Sequence, residues 1–214
     1  SHAAVTLDGT MGPARTLTGP DYVIAERLGK RVGSNLFHSF GVFDVFSGES
    51  ATFTGSKTVK NIIGRVTGRE YSHIDGLLRS TIPGADLFLL NPAGFFFGPD
   101  ARLDVGGSFH ATTADYLRFS DNGILFCNPA FDNNLTIAEP SAFGFLSENP
   151  SWIVVQESIL EVPEGKALSL VSGGIEMRTS RLRSRGRNMF WNSAGSASAT
   201  ERMASISPTV PLAP

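Results

Sequence analysis

The sequence predicts an all-β fold, and three observations predict it. Apolar runs of about four to six residues recur along nearly the whole of the 214-residue chain. Gly, Asn, Asp, Ser or Pro punctuate them at the ~8–12-residue rhythm of successive short strands. Few windows carry a helical period. Two architectures share this rhythm, a two-sheet sandwich and a parallel β-helix with three short strands per coil. A sandwich needs hairpins, yet Asp121-Asn122-Gly123 is the one strong two-residue hairpin signal. Most other breaks are single Gly or Asn corners, which suit stacked coils of ~20–25 residues. No strict internal repeat accompanies them, so periodicity alone leaves both architectures open.

The runs follow one another as Ala51 to Phe53, Val59 to Ile63, Ile74 to Leu78, Leu87 to Leu90, Phe95 to Phe97 and Leu103 to Val105. Ile124 to Phe126, Leu135 to Ile137, Trp152 to Val155, Ile159 to Val162, Leu168 to Val171 and Ile175 to Met177 continue the series. Each reads as a strand. Thr112 to Phe119 is the best short-helix candidate, with a strand edge as its alternative. Past Met177 the composition changes: Arg178, Arg181, Arg183, Arg185 and Arg187 crowd together, and Ser193 to Pro214 is rich in Ser, Ala and Pro. The expected division is a domain over 1–177, then a degenerate last coil and flexible tail over 178–214.

Composition bounds the function. The chain is 41% hydrophobic, enough for one buried core, and its net charge of -2 gives no electrostatic footprint for nucleic acid. No apolar run approaches the ~18–20 residues of a membrane span, so no stable membrane insertion is expected. Cys127 is the only cysteine, which rules out an internal disulfide and a cysteine-based metal site. The chain opens Ser1-His2-Ala3-Ala4-Val5, as it would after removal of a signal peptide or with a short scar at its start.

The most informative stretch is Asn91-Pro92-Ala93-Gly94-Phe95-Phe96-Phe97-Gly98, set between two apolar runs. Asn bonds its own backbone two residues on, Pro presets φ and Gly takes φ > 0, so Asn91 to Gly94 reads as a tight, rigid turn. Upstream lie Asn35-Leu36-Phe37-His38-Ser39-Phe40, whose apolar residues could cover one solenoid end, and Arg65-Val66-Thr67-Gly68 followed by Ser72-His73-Ile74-Asp75-Gly76.

In that order, over roughly Val5 to Met177, the three blocks resemble the amino-terminal secretion domain of two-partner secretion exoproteins, the filamentous-haemagglutinin family. Asn91 to Phe95 is similar to the family's Asn-Pro-Asn-Gly-Ile signature, with Ala93 for the second Asn and Phe95 for Ile. The resemblance implies a right-handed parallel β-helix with extra strands outside the coil, and residues 1–43 as a β cap. Leu7-Asp8-Gly9-Thr10 and Gly12-Pro13 would form the cap's first turns. It also implies a secretion motif at Asn35, Leu36, Phe37, His38, Ser39, Phe40, Asn91, Pro92, Ala93, Gly94 and Phe95. The implied partner is an outer-membrane transporter with periplasmic POTRA domains and a barrel, the location the cell surface or medium by way of the periplasm, and the state a monomer.

The residues offer little chemistry of another kind. Ser39, His38 and Asp44, or Ser72, His73 and Asp75, make a triad on paper, but neighbours on a strand point to opposite faces. Asp100 with Asp104, or Asp75 with Asp86, are the acid pairs a β-helix glycosidase or lyase would use. His2, His38, His73 and His110 lack ligand spacing, and Gly106-Gly107-Ser108 lacks the Lys of a phosphate loop. The expectation is no enzyme, no cofactor and no metal, with a carbohydrate-active β-helix enzyme or a glycan-binding adhesin module as the alternatives.

Overall fold

A computed structural model describes residues 4–184, 189–193 and 202–205. Ser1 and His2, Arg185 and Arg187, and the tail apart from Arg202–Ser205 lie outside the described residues. The chain winds as a right-handed parallel β-solenoid of about 7 turns, and the sandwich alternative is thereby excluded.

Three faces make each coil. The first is a nine-stranded sheet whose parallel rungs are Asn35–Phe43, Asn61–Val66, Asp86–Leu90, Phe109–Thr112, Leu168–Ser172 and Met189–Ser193. The second stacks Ser72–Ile74, Phe95–Phe97, Trp152–Gln156 and Gly174–Arg178. The third stacks Asp21–Ala25, Ser50–Thr54, Leu77–Ser80 and Arg102–Asp104. In the segment expected as a degenerate coil and tail, Arg181–Ser184 pairs in parallel with Ile159–Val162. Arg202–Ser205 pairs antiparallel with Pro140–Phe145.

Side-chain alternation fills the coil. Leu36, Ile62, Leu87, Phe109 and Leu168 occupy one register column of the first face and point inward, meeting Phe53, Phe97, Leu78 and Ile153 in a single core. The alternate residues of these strands point outward but are not solvated, because residues 113–151 leave the coil and fold back over this face. That excursion carries an antiparallel sheet of Ile124–Phe126, Tyr116–Phe119 and Pro140–Phe145. A second core forms between the layers from Phe37, Ile63, Phe88, Leu90, Leu117, Phe119, Phe143 and Phe145. The first face is thus buried on both sides, which explains its continuous apolar runs.

The segment weighed as a short helix is two strands, Phe109–Thr112 and Tyr116–Phe119, separated where the chain leaves the coil. Ala114, Leu117 and Phe119 mimic a helical period because both of its sides meet apolar layers. Leu135 to Ile137 is no strand; it lies in the loop after Asn134, which bridges to Ile124. The hairpin does form at Asp121 to Gly123, where Asn122 takes φ +67° and Asp121 Oδ1 accepts from Gly123 N at 3.0 Å. Antiparallel pairing also occurs in the cap, where Val5–Asp8 lies between Ala14–Thr16 and Asn35–Phe43, and Lys30–Val32 adds to the latter. These strands cover edges the first coil would otherwise expose.

Candidate functional site

Asn91 leaves the first face at the end of Asp86–Leu90 and makes the corner toward Phe95–Phe97. Its carbonyl accepts from Gly94 N at 3.0 Å, and its side-chain Oδ1 accepts from Ala93 N at 3.0 Å. Gly94 sits at φ +115°, where a β-carbon would come 2.9 Å from Trp152 O, so glycine is required twice over. Asn91 Nδ2 donates to Glu70 O at 3.1 Å and Ser72 Oγ at 3.0 Å in the preceding coil. Asn91 N donates to Thr112 O at 2.9 Å in the following one. One residue therefore ties three successive coils, and it is wholly buried. Pro92 and Ala93 are half-buried, and Phe95 points into the core, stacked on Phe97 at 5.8 Å.

The Asn35 block divides between the two cores. Leu36, His38 and Phe40 face the coil interior; Asn35, Phe37 and Ser39 face the excursion. Asn35 Nδ2 donates to Thr136 O at 2.9 Å and Ala138 O at 2.8 Å, and its Oδ1 accepts from Asn61 Nδ2 at 2.9 Å. Phe37 meets Phe119 edge-on at 5.9 Å. His38 lies near Phe40 and Phe53, its ring nitrogens lacking a close hydrogen-bond partner, with the Leu28 carbonyl the polar group beside them. Burial lowers its pKa to about 4, so it is neutral at physiological pH.

The third block supplies what sequence reasoning missed. Arg65 sits in the strand Asn61–Val66 next to Gly64 and Val66 and is 1% exposed, which is rare for a cation without a carboxylate in direct contact. Its guanidinium donates to Ser39 Oγ, to Thr10 Oγ1 at 2.9 Å and to the Phe126 carbonyl at 2.5 Å. Ser39 Oγ and Thr67 Oγ1 each donate to Asp8 Oδ2 at 2.7 Å. Cap, coil and excursion meet on this one side chain. The available signal was a lone Arg inside a strand buried on both faces. Gly68 closes the block because a β-carbon there would lie 2.0 Å from Gly41 O on the neighbouring coil.

These contacts leave the rival chemistries unsupported by geometry. His38 and Ser39 point to opposite sides of their strand, and Ser39 already serves Asp8 and Arg65. His73 packs between Phe46 at 5.2 Å and Phe96 at 4.9 Å, while Ser72 Oγ accepts from Asn91. Asp44 Oδ1 accepts from His73 N, Asp75 Oδ1 from Asp100 N, and Asp86 Oδ1 from Ser108 N. Asp100 Oδ2 accepts from Ser47 Oγ, and Asp104 pairs with Arg79 at 3.0 Å. Each acid holds a turn or a neighbouring strand. Among the described residues no three of His, Cys, Asp or Glu converge as metal ligands, and no helix is long and apolar enough to cross a membrane. Arg178 pairs with Glu176 at 2.6 Å, and Arg181 and Arg183 are exposed.

A model of the family described as the TPS secretion domain matches residues 3–208 of the chain. No curated protein matches it.

Proposed function

The chain belongs to the TPS secretion domain family, the secretion-signal domain of two-partner exoproteins, and we propose that it acts by being captured while extended and then folding irreversibly as the nucleus of a longer solenoid. In this reading the chain crosses the inner membrane by general export and reaches the periplasm unfolded or partly folded. There the POTRA domains of its cognate outer-membrane transporter take hold of it before it passes through the barrel. Strand addition suits that capture, because an extended segment presents unsatisfied backbone groups that a sheet edge can pair.

The observation that carries the proposal is the burial of Asn91. A residue bonded through side chain and backbone to three coils, its side chain closed from solvent, serves a completed fold, and that is the part it would play in a secretion motif. Stacking the coils on the finished cap buries apolar rungs one after another, which opposes backsliding. No step requires a cofactor.

A secretion assay tests this. The chain, fused ahead of a reporter, is expected to reach the medium only when the transporter encoded beside it is produced. Export without that transporter, or turnover of a polysaccharide that an Asp75→Asn or Asp104→Asn change abolishes, would overturn it in favour of the enzyme.

A further inference from the structure

The sheet that covers the first face is finished from beyond the last coil. Its strands run in the order Ile124–Phe126, Tyr116–Phe119, Pro140–Phe145 and Arg202–Ser205. The first three belong to the excursion of residues 113–151. The fourth comes after the last rung, Met189–Ser193, with residues 194–201 between them. Its register is continuous: Phe145, Gly144, Phe143 and Ala142 pair with Arg202, Met203, Ala204 and Ser205.

Pro140–Phe145 depends on this partner. Phe143 and Phe145 close the second core, and Phe143 meets Phe88 at 6.5 Å and His110 at 6.4 Å. Ala142 and Gly144 are buried as well. One side of the strand pairs with Tyr116–Phe119. In an antiparallel sheet alternate residues turn their N–H and C=O groups to opposite edges, so the other side presents a second set of backbone groups in a stretch closed from water. Arg202–Ser205 satisfies them. Left uncovered, the same edge would be open to any extended segment.

We infer that this edge is a strand-accepting site, that its occupant is Arg202–Ser205 of the same chain, and that docking of this segment is a clasp that closes the excursion over the first face. The site takes an extended backbone paired antiparallel. With residues 194–201 as tether, the segment is held at an effective concentration that a second copy must exceed to displace it. The inference rests on the function proposed above and adds the step that completes the domain. Every other described strand precedes Arg202–Ser205 in the chain, so in a domain built coil by coil from its cap this segment docks last. Before then the excursion is held by bonds such as Asn35 Nδ2 to Thr136 O at 2.9 Å and Asn61 Nδ2 to Glu139 Oε2 at 2.7 Å, with the second core open along one edge. Afterwards the last rung and the excursion are joined, and the folding unit extends to Ser205 rather than ending at Met177.

Hydrogen exchange of the full chain tests the clasp. Of two successive residues on an edge strand, one turns its N–H to the partner and the other turns it away, so proline breaks the ladder at one position and is tolerated at the next. Met203→Pro and Ala204→Pro therefore control for each other. In one of them the amides of Ala142 to Phe145 are expected to exchange about tenfold faster or more, the effect of losing an edge hydrogen bond, while Asn61–Val66 keeps its protection. The other variant should behave as the parent. An excess of synthetic peptide spanning residues 200–209 should restore protection to the weakened variant. If neither variant folds, the same measurement is made on a parent chain cut after folding at a protease site inserted behind Gly195. Unchanged exchange throughout, or no restoration by the peptide, overturns the inference and leaves the proposed function standing. Equal acceleration in every strand also overturns it, because 202–205 would then be an ordinary part of one cooperative unit. Dimers of the parent that the damaging variant abolishes would assign the strand to a second copy instead. Transporter-independent export removes the proposed function and with it the clasp's part in secretion.

Discussion

Arg65 Nε donates to Ser39 Oγ at 2.8 Å, and that hydroxyl donates onward to Asp8 Oδ2 at 2.7 Å. The relay joins a buried cation to a half-buried anion through a neutral group, and it links adjacent coils to the cap. Burial lowers the pKa of the guanidinium, but an arginine stays charged, so its hydrogen bonds and the attraction of Asp8 carry the compensation. This is the place where the amino-terminal cap, the first coils and the excursion become one cooperative unit.

Arg65→Met should therefore destabilise the domain strongly. It strands the Phe126 carbonyl and removes the cation facing Asp8, at about 1–3 kcal/mol for each buried group left unpaired. For a domain of this size that is a fall in Tm of about 2–4 °C per kcal/mol, read by calorimetry. Arg65→Lys should recover little, since an ammonium cannot reach three acceptors in different layers at once. A Tm within a degree of the parent in both variants would contradict the lock.

Asn91→Ala is expected to impair secretion more than its effect on stability accounts for. It leaves Ala93 N and Glu70 O without their side-chain partner, costing about 1–3 kcal/mol for each group kept dry. Leu87→Ala, a core truncation of comparable cost at about 2–5 kcal/mol, is the matched control. The comparison measures unfolding free energy for the purified chains and export for the same pair. Equal export at equal stability would make the corner merely structural.

The fold class was legible because short apolar runs and corner residues are local features, and Phe53, Leu78 or Ile153 announce a buried strand wherever they sit. The corner at Asn91 was legible for the same reason: its turn bonds reach only Ala93 and Gly94. Thr112 to Phe119 was misleading because alternation disappears when both sides of a strand are covered, and the cover comes from residues such as Phe143 far along the chain. Arg65 was illegible as a lock because its partners, Thr10 and Phe126, are separated from it by 55 and 61 residues. Tertiary hydrogen bonds of that span leave no pattern in a short window.

Stability should fall as pH drops below neutral. Burial, only partly offset by Glu26, lowers the His38 pKa to about 4, and burial lowers His110, stacked on Phe88 at 4.3 Å, to about 4. Both lie below the ordinary value of 6.5. Between those limits the unfolded chain binds protons that the folded chain refuses, so stability declines from about pH 6.5 to about pH 4 at roughly 1.4 kcal/mol per pH unit for each group. Below that window both states are protonated and the slope ends. Thermal scans across pH 4–7.5 should show the decline, and His110→Phe, which keeps the aromatic stack, should remove about half of it, the share of His38 remaining. An unchanged slope would mean that His110 does not contribute to the pH dependence.

Gly68→Ala separates backbone approach from backbone flexibility. The added methyl would lie 2.0 Å from Gly41 O, a backbone atom held in its own coil, so relief requires the two coils to part. Thr67 N donates to Phe40 O at 2.7 Å next to this point, and that bond would stretch with the separation. Thr67 also holds Asp8, so the disturbance reaches the Arg65 relay directly. The reciprocal change, Gly41→Ala, meets Thr6 Oγ1 at 3.3 Å and Asp8 Cβ at 4.0 Å, side-chain atoms that a small shift accommodates. Gly68→Ala is thus expected to cost at least the ~1–3 kcal/mol of an overpacked core site, and Gly41→Ala distinctly less. Denaturant midpoints at constant m-value measure the difference. Equal midpoints for the two variants would mean that the coils slide freely at this corner, and the glycine would then need another explanation.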